Sequence, residues 1–300
     1  MNRRSGRGLV AICNHCSGTL GHHGFVTRTA TLLLGVLFLW LGAAHAAGPP
    51  TVYMGELTWT EVRDALQAGR TTVIVPIGGT EQSGPHMALN KHNLRVRFFA
   101  GRVAAALGDA LVAPVLAFVP EGGTNPPTGH MRFPGTITIP ESTFEEILLS
   151  AGRGFKSQGF RDVVFLGDHG GYQKLIKKSA DKLNREWAGT PVRAHAVEEY
   201  YVAAQKEYVD ALKAKGFTEE EIGTHAGLAD TSLMLAIDPS LVRVDRIAGA
   251  GGDKSNGVSG DPMRSTSALG KIGVDIVVKR TVEAIKREVA EPRPAPQAQK

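Results

Sequence analysis

The chain reads as an α/β protein with a mainly parallel sheet. Two observations predict this. Short runs of Val, Ile, Leu and Phe alternate with longer amphipathic segments, and glycine- and histidine-bearing turns follow directly on two of the apolar runs.

Taken in order, the pattern predicts a helix over 57–69, a strand over 72–77, a helix over 93–107, a strand over 110–118 and a helix over 142–158. A strand over 162–167, a helix over 172–187 and a strand near 192–197 follow, and then helices over 204–215, 230–237 and 267–290. Ser142, with Glu145 three residues on, reads as a capping-box start for its helix. The glycine-rich stretches 121–129 and 247–260 lack apolar periodicity and read as long loops, which in a compact domain are functional or mobile. The tail 291–300 carries three prolines among polar residues and is expected to be disordered.

Residues 1–46 form a separate unit. Arg28 precedes the apolar run Leu32–Leu41, which ends in Ala44-His45-Ala46, the order of a secretory signal peptide. Residues 1–25 put a long polar leader ahead of it and read as a mis-assigned start. The run is short for a membrane span, which needs about 20 residues. Expected localisation is therefore periplasmic or secreted, with no membrane association after cleavage. The segment holds Arg3, Arg4, Arg7 and Arg28 but no acid, so the 34 basic residues of the whole chain fall to 30 against 29 acids. That near-neutral balance leaves no nucleic-acid footprint. Both cysteines, Cys13 and Cys16, also lie there, and a mature chain without thiols suits an oxidising compartment. The remaining residues, 47–290, are enough for one domain.

That domain keeps six histidines: His86, His92, His130, His169, His195 and His225. His86 and His92 follow the strand 72–77, and His169 follows the strand 162–167. Ligands bind at the carboxyl ends of parallel strands, so these loops are expected to face one crevice, with His130 and His225 in loops above it. Glu81 with several imidazoles is ligand chemistry for zinc or manganese. From the residues alone a metal site and ordinary hydrogen-bonded histidines both stay open. His195, inside a strand, reads as structural. No GxGxxG or GxxxxGK[ST] pattern follows a strand, which argues against a nucleotide module.

Four segments, in order, resemble the creatininase (creatinine amidohydrolase) family. They are Pro76-Ile77-Gly78-Gly79-Thr80-Glu81-Gln82-Ser83-Gly84-Pro85-His86, Phe133-Pro134-Gly135-Thr136, Asp168-His169-Gly170-Gly171, and His225-Ala226-Gly227 running to Asp230-Thr231-Ser232. The resemblance covers roughly 54–290 and implies a three-layer α/β/α fold, a homo-oligomer of up to six chains, and metal-dependent hydrolysis of a C–N bond in a cyclic or small linear amide. It matches Glu81 and His169 to metal ligands and His225 to a catalytic histidine. Against it, Ser83 stands where the family has a ligand histidine, His92 where it has a bridging aspartate, and Gly171 where creatininase proper has a carboxylate.

An imidazole offers one lone pair to one metal, so His92 cannot replace a bridging carboxylate in kind. The expected centre is therefore one divalent ion per chain, zinc before manganese, on Glu81, His92 and His169. Metal-bound hydroxide would attack the amide, with His225 and Asp230 as catalytic groups. His86, His130, Gly170 and Gly171 are the expected substrate contacts, and Asp168 and Ser83 are expected to sit behind the ligands and orient them. The alternative is an exported protein of the same fold that binds a ligand or metal without hydrolysing anything.

Overall fold

A computed structural model describes residues 51–251 and 254–292. The expected signal segment and residues 293–300 of the tail lie outside them. Among the described residues four parallel strands form one sheet in the order β2-β1-β3-β4: β1 Thr72–Ile77, β2 Ala110–Val112, β3 Asp162–Gly167 and β4 Arg193–Ala196. Every residue of β1 and β3 is buried, because helices cover both faces of the sheet. On one face Ile74, Val164 and Leu166 pack under α2 (Lys91–Leu107), α8 (Leu228–Ile237) and α9 (Ser267–Val289), through Val96, Phe99, Leu233 and Val277. On the other, Val73, Val75 and Phe165 pack under α1 (Trp59–Gln67), α3 (Glu141–Gln158) and α4 (Gln173–Glu186), through Ala65, Phe144, Leu148 and Leu183. The architecture is three-layer α/β/α, as expected. None of the described helices is long and apolar enough to cross a membrane.

Local chemistry explains where the elements stop. Pro76 lies inside the central strand β1, where a missing N–H would normally cost a ladder bond. Its carbonyl accepts from Leu116 N–H at 2.9 Å, on the β2 side, and β2 has already left the ladder at Val112, opposite Ile74. The missing donor therefore lies beyond the end of the β1–β2 ladder. The predicted strand 110–118 is accordingly cut to three residues: Pro114 offers no donor, and the chain peels away, touching β1 again only at the isolated bridge Ile77–Leu116.

The capping box expected at Ser142 is absent. Pro140 takes the N-cap position, Glu141 opens α3, and Ser142 is already inside the first turn. Capping boxes form instead at Thr58 with Glu61 and at Thr218 with Glu221. The helix predicted over 204–215 starts earlier and is interrupted: α5 (Glu198–Val202) runs through a π turn at Ala203–Glu207 into α6 (Tyr208–Lys213). A short α7 (Glu219–Ile222) follows.

His195 on β4 is a structural residue. It bridges Asp162 Oδ1 at 2.7 Å and Glu288 Oε2 at 3.1 Å, tying the sheet to α9. Burial alone would lower its pKa, but the hydrogen bonds to Asp162 and then Glu288 outweigh it and raise it. The folded chain thus keeps a proton that the unfolded chain loses near pH 6.5. Stability from this group is full below that value and is lost as pH rises through the raised one. Thermal melts at intervals from pH 6 upward should show this decline, and His195→Gln should flatten it; an unchanged slope in the variant would refute the assignment.

Candidate metal centre

The site forms at the carboxyl ends of β1 and β3. Beyond Ile77 the chain turns through Gly78 and Gly79 to Glu81, and beyond Gly167 it delivers Asp168 and His169. Gly78 is required by a close approach: a Cβ there would lie 2.8 Å from Asn93 Cα in the first turn of α2. Asn93 Oδ1 accepts from Gly79 N–H at 2.9 Å and fixes the turn. The glycine-rich loop after β2 adds Glu121, and a 3-10 turn at Gly129–Arg132 adds His130.

Glu81, Glu121, His130 and His169 converge, each offering one ligand atom within 4.8 Å of the others. Glu81 Oε2 lies 3.2 Å from His130 Nε2 and 3.5 Å from His169 Nε2. Glu81 and Glu121 are fully buried, while the two imidazoles form the rim, 25% and 20% exposed. Glu81 Oε2 and both oxygens of Glu121 are buried without a hydrogen-bond partner. Buried carboxylate oxygens left in this state are costly unless a cation joins them, so these residues fit a divalent ion.

Electrostatics point the same way. Burial, then the facing Glu81 carboxylate, pushes Glu121 up to about 9. Burial opposes the charge on Glu81 as well, but His92 and Lys91 hold it well below the usual carboxylate range. Burial lowers His169 to about 4 and lowers His130, so both present neutral rings, the form that binds metals. His169 Nδ1 accepts from Gly171 N–H at 3.3 Å, so the neutral ring carries its proton on Nε2, 3.5 Å from Glu81 Oε2. Binding an ion at Nε2 requires that proton to move to Nδ1 in place of this bond.

Gln82 sets the remaining rings. Its Nε2 donates to His130 Nδ1 at 3.0 Å and to Gly257 O at 2.9 Å. His225 Nε2 donates to Gln82 O at 3.0 Å, leaving the Nδ1 lone pair 3.6 Å from Glu81 Oε1. Gly257 has φ +72°, and a Cβ there would lie 2.1 Å from Gln82 Oε1. His225 is held by backbone bonds to Ser259 and is followed by Ala226 at φ +54°, a conformation rare outside glycine that is stabilised here by Ala226 N–H donating to Asp230 Oδ2 at 3.0 Å.

Several expectations are corrected. His92 lies in the first turn of α2 rather than in a loop, and both its ring nitrogens are engaged, Nε2 with Glu81 Oε1 and Nδ1 with Asp168 Oδ2, each at 2.5 Å. It has no free lone pair for an ion, and Glu121 with His130 completes the converging set instead. His130 accordingly moves from substrate contact to candidate ligand. His86 is wholly buried, its Nε2 2.9 Å from Thr231 Oγ1, so it cannot meet a substrate. Asp230, expected to be catalytic, pairs with Arg95 at 2.6 Å and Lys91 at 3.2 Å and stays among them. It anchors cations rather than moving protons.

Asp168 does stand behind a histidine: it accepts from His92, from Arg95 Nε at 2.8 Å and from the Tyr200 hydroxyl. Ser83 is buried and its hydroxyl has no partner, so it orients nothing. Gly170 and Gly171 are exposed at the turn after β3, and a Cβ on Gly170 would lie 2.5 Å from Tyr201 Oη. Sequence reasoning missed Glu121, Gln82, Lys91, Arg95, Tyr200 and Tyr201. Lys91 and Arg95, four apart at a helix start, and Glu121, the single acid of its glycine-rich loop, were the available signals.

The fold and the residues agree with what the chain is similar to. Residues 55–285 match the family model described as creatinine amidohydrolase. The chain is 32% identical to creatinine amidohydrolase of Pseudomonas putida over 200 residues, 66% of this chain and 76% of that one. It is 28% identical to a mycofactocin precursor peptide peptidase of Mycolicibacterium smegmatis over 237 residues, 72% of this chain and 84% of that one. A crystal structure of creatinine amidohydrolase superposes with a TM-score of 0.69 at 25% identity, covering 81% of this chain and 100% of that one. A creatininase variant described as Zn-Zn type superposes at 0.66 with 26% identity, covering 81% of this chain and 100% of that one.

Proposed function

Because the chain belongs to the creatininase family, whose members are generally metal-dependent amidohydrolases, we propose that it hydrolyses a C–N bond of a small cyclic or linear amide at a divalent ion, zinc before manganese, held by Glu81, Glu121, His130 and His169. The observation that carries this reading is the set of partnerless buried carboxylate oxygens of Glu81 and Glu121 beside two neutral imidazoles. Creatinine and a precursor peptide, the compounds in the relatives' names, are both amides.

A divalent ion bound by these residues would supply Lewis acidity and lower the pKa of water toward 7. The chain's own groups do the rest. Burial and then Lys91 lower His225 to about 3, so it rests neutral, with its Nδ1 lone pair toward the centre. In this reading it would accept a proton from water there and return it to the leaving nitrogen. Gln82 positions the His130 and His225 rings through one amide side chain and its own carbonyl. The Gly170-Gly171 turn packs directly against the Tyr201 hydroxyl, whose pKa is raised first by burial and then by Asp230, so it remains a donor.

The test is metal content together with a screen of lactams, cyclic ureides, formamides and short peptides. His169→Ala should lose its ion and lose activity by well over the roughly 10–100-fold that removal of a merely supporting residue costs. Careful loading that yields metal-free, inactive wild-type protein would instead favour a non-hydrolytic binding protein. Export, and assembly into a homo-oligomer, are part of the same proposal; a mature N-terminus near Ala47 would support the first and an intact Met1 would sink it.

A further inference from the structure

Glu81 meets two different environments. Oε1 contacts His92 Nε2 at 2.5 Å and Lys91 Nζ at 3.3 Å. Oε2 has no hydrogen-bond partner and faces the rim imidazoles. Lys91 is 1% exposed, an unusual burial for an ammonium, and its carboxylate partners among the described residues are Glu81 and Asp230.

Behind these cations every carboxylate oxygen is occupied. Asp168 Oδ1 accepts from Arg95 and Tyr200, and Oδ2 from His92 and Arg95. Asp230 Oδ1 accepts from Arg95, and Oδ2 from Lys91 and Ala226 N–H. On the Oε1 side of Glu81, no oxygen of these groups is left for an incoming ion. On the Oε2 side, three are. A second ion at Oε1 would have to displace a buried ammonium already paired on two sides, leaving that charge unpaired away from water.

We infer that Lys91, backed by His92, is a resident cation of the centre: it occupies Glu81 Oε1, restricts the centre to one divalent ion on the Oε2 side, and tunes how tightly that ion is held. This deepens the metal-hydrolase reading and rests on it. Lys91 is in this sense a positioning and charge-setting residue, since it touches a ligand rather than the substrate. A fixed positive charge close to a divalent ion, in a site that solvent screens poorly, weakens ion binding.

The experiment counts metal per chain by elemental analysis and native mass spectrometry on protein loaded with zinc, and measures zinc affinity by competition with a chromogenic chelator. Wild type should hold one ion. Lys91→Met should hold it about tenfold more tightly or better, from the lost repulsion. Lys91→Arg, which keeps the charge, should stay near wild type. Two ions on wild type would overturn the inference while leaving the metal-hydrolase reading intact, whereas none would overturn both. Zinc held equally or less tightly by Lys91→Met also overturns it. If Lys91→Met does not fold, the wild-type count of one or two still decides.

Discussion

Glu121→Gln is expected to abolish the stabilisation that a divalent ion gives this chain while making the ion-free chain more stable. Two effects of one carboxyl are separated by this change. With an ion present, Glu121 contributes oxygens that find no other partner, and an amide in their place is a poor ligand for zinc. Ion at 100 times its dissociation constant stabilises a folded chain by about 2.7 kcal/mol, or roughly 5–11 °C in Tm for a domain of this size. The variant should lose nearly all of that gain.

Without the ion, the sign reverses. The folded-state pKa of Glu121 is raised to about 9 from an ordinary 4.5, so between those values the folded chain holds a proton that the unfolded chain has released. Stability of the ion-free wild type therefore falls as pH rises across this window. Glutamine mimics the protonated carboxyl, carries no such proton, and should melt higher than wild type at pH 7 when both are free of metal. Paired melts with and without zinc measure both effects. A variant that keeps the zinc-induced rise would remove Glu121 from the centre.

Arg95→Met is expected to cost about 3–5 kcal/mol, the usual penalty when one partner of a buried ion pair is removed. Arg95 is 3% exposed and donates to Asp168 at 2.8 Å and to Asp230 at 2.6 Å, so the substitution strips both buried carboxylates of a cation. At about 2–4 °C per kcal/mol, the melting temperature should fall by roughly 6–20 °C. Arg97→Met provides the contrast. Arg97 is two residues away on the same helix, but its pair with Glu56 is about half exposed and should be worth about 0–1 kcal/mol. Similar losses in the two variants would show that helix α2, rather than the buried network, is what the substitution disturbs.

Much of the frame was legible before any coordinates. The strands over 72–77 and 162–167 and the helices near 142–158 and 267–290 follow from apolar runs, periodicity and breakers, which are local properties of the chain. The motifs around Glu81, His169 and His225 were legible too, through their resemblance to the family, and the first two follow directly on those strands. What failed locally failed for identifiable reasons. Pro114 ends β2 early, Pro140 takes the capping position from Ser142, and the π turn at 203–207 interrupts a helix whose pattern reads as continuous.

The composition of the site was less legible. Glu121 lies 40 residues beyond Glu81 in a loop without periodicity, and His130 lies nine residues beyond Glu121. Nothing in their neighbours along the chain says that they meet. His92 looked available because the sequence does not reveal that Asp168 lies on one side of its ring and Glu81 on the other.

By itself the sequence determined the α/β class, the family, and the loops that carry the chemistry, since these depend on residue type and on spacing within one segment. Only the tertiary structure decided which histidine has a free lone pair, which carboxylates are left without partners, and that Lys91 is buried against Glu81. Those properties depend on charge and burial contributed by segments far apart in the chain, and they come into being only when the sheet brings the loops of β1 and β3 to one end.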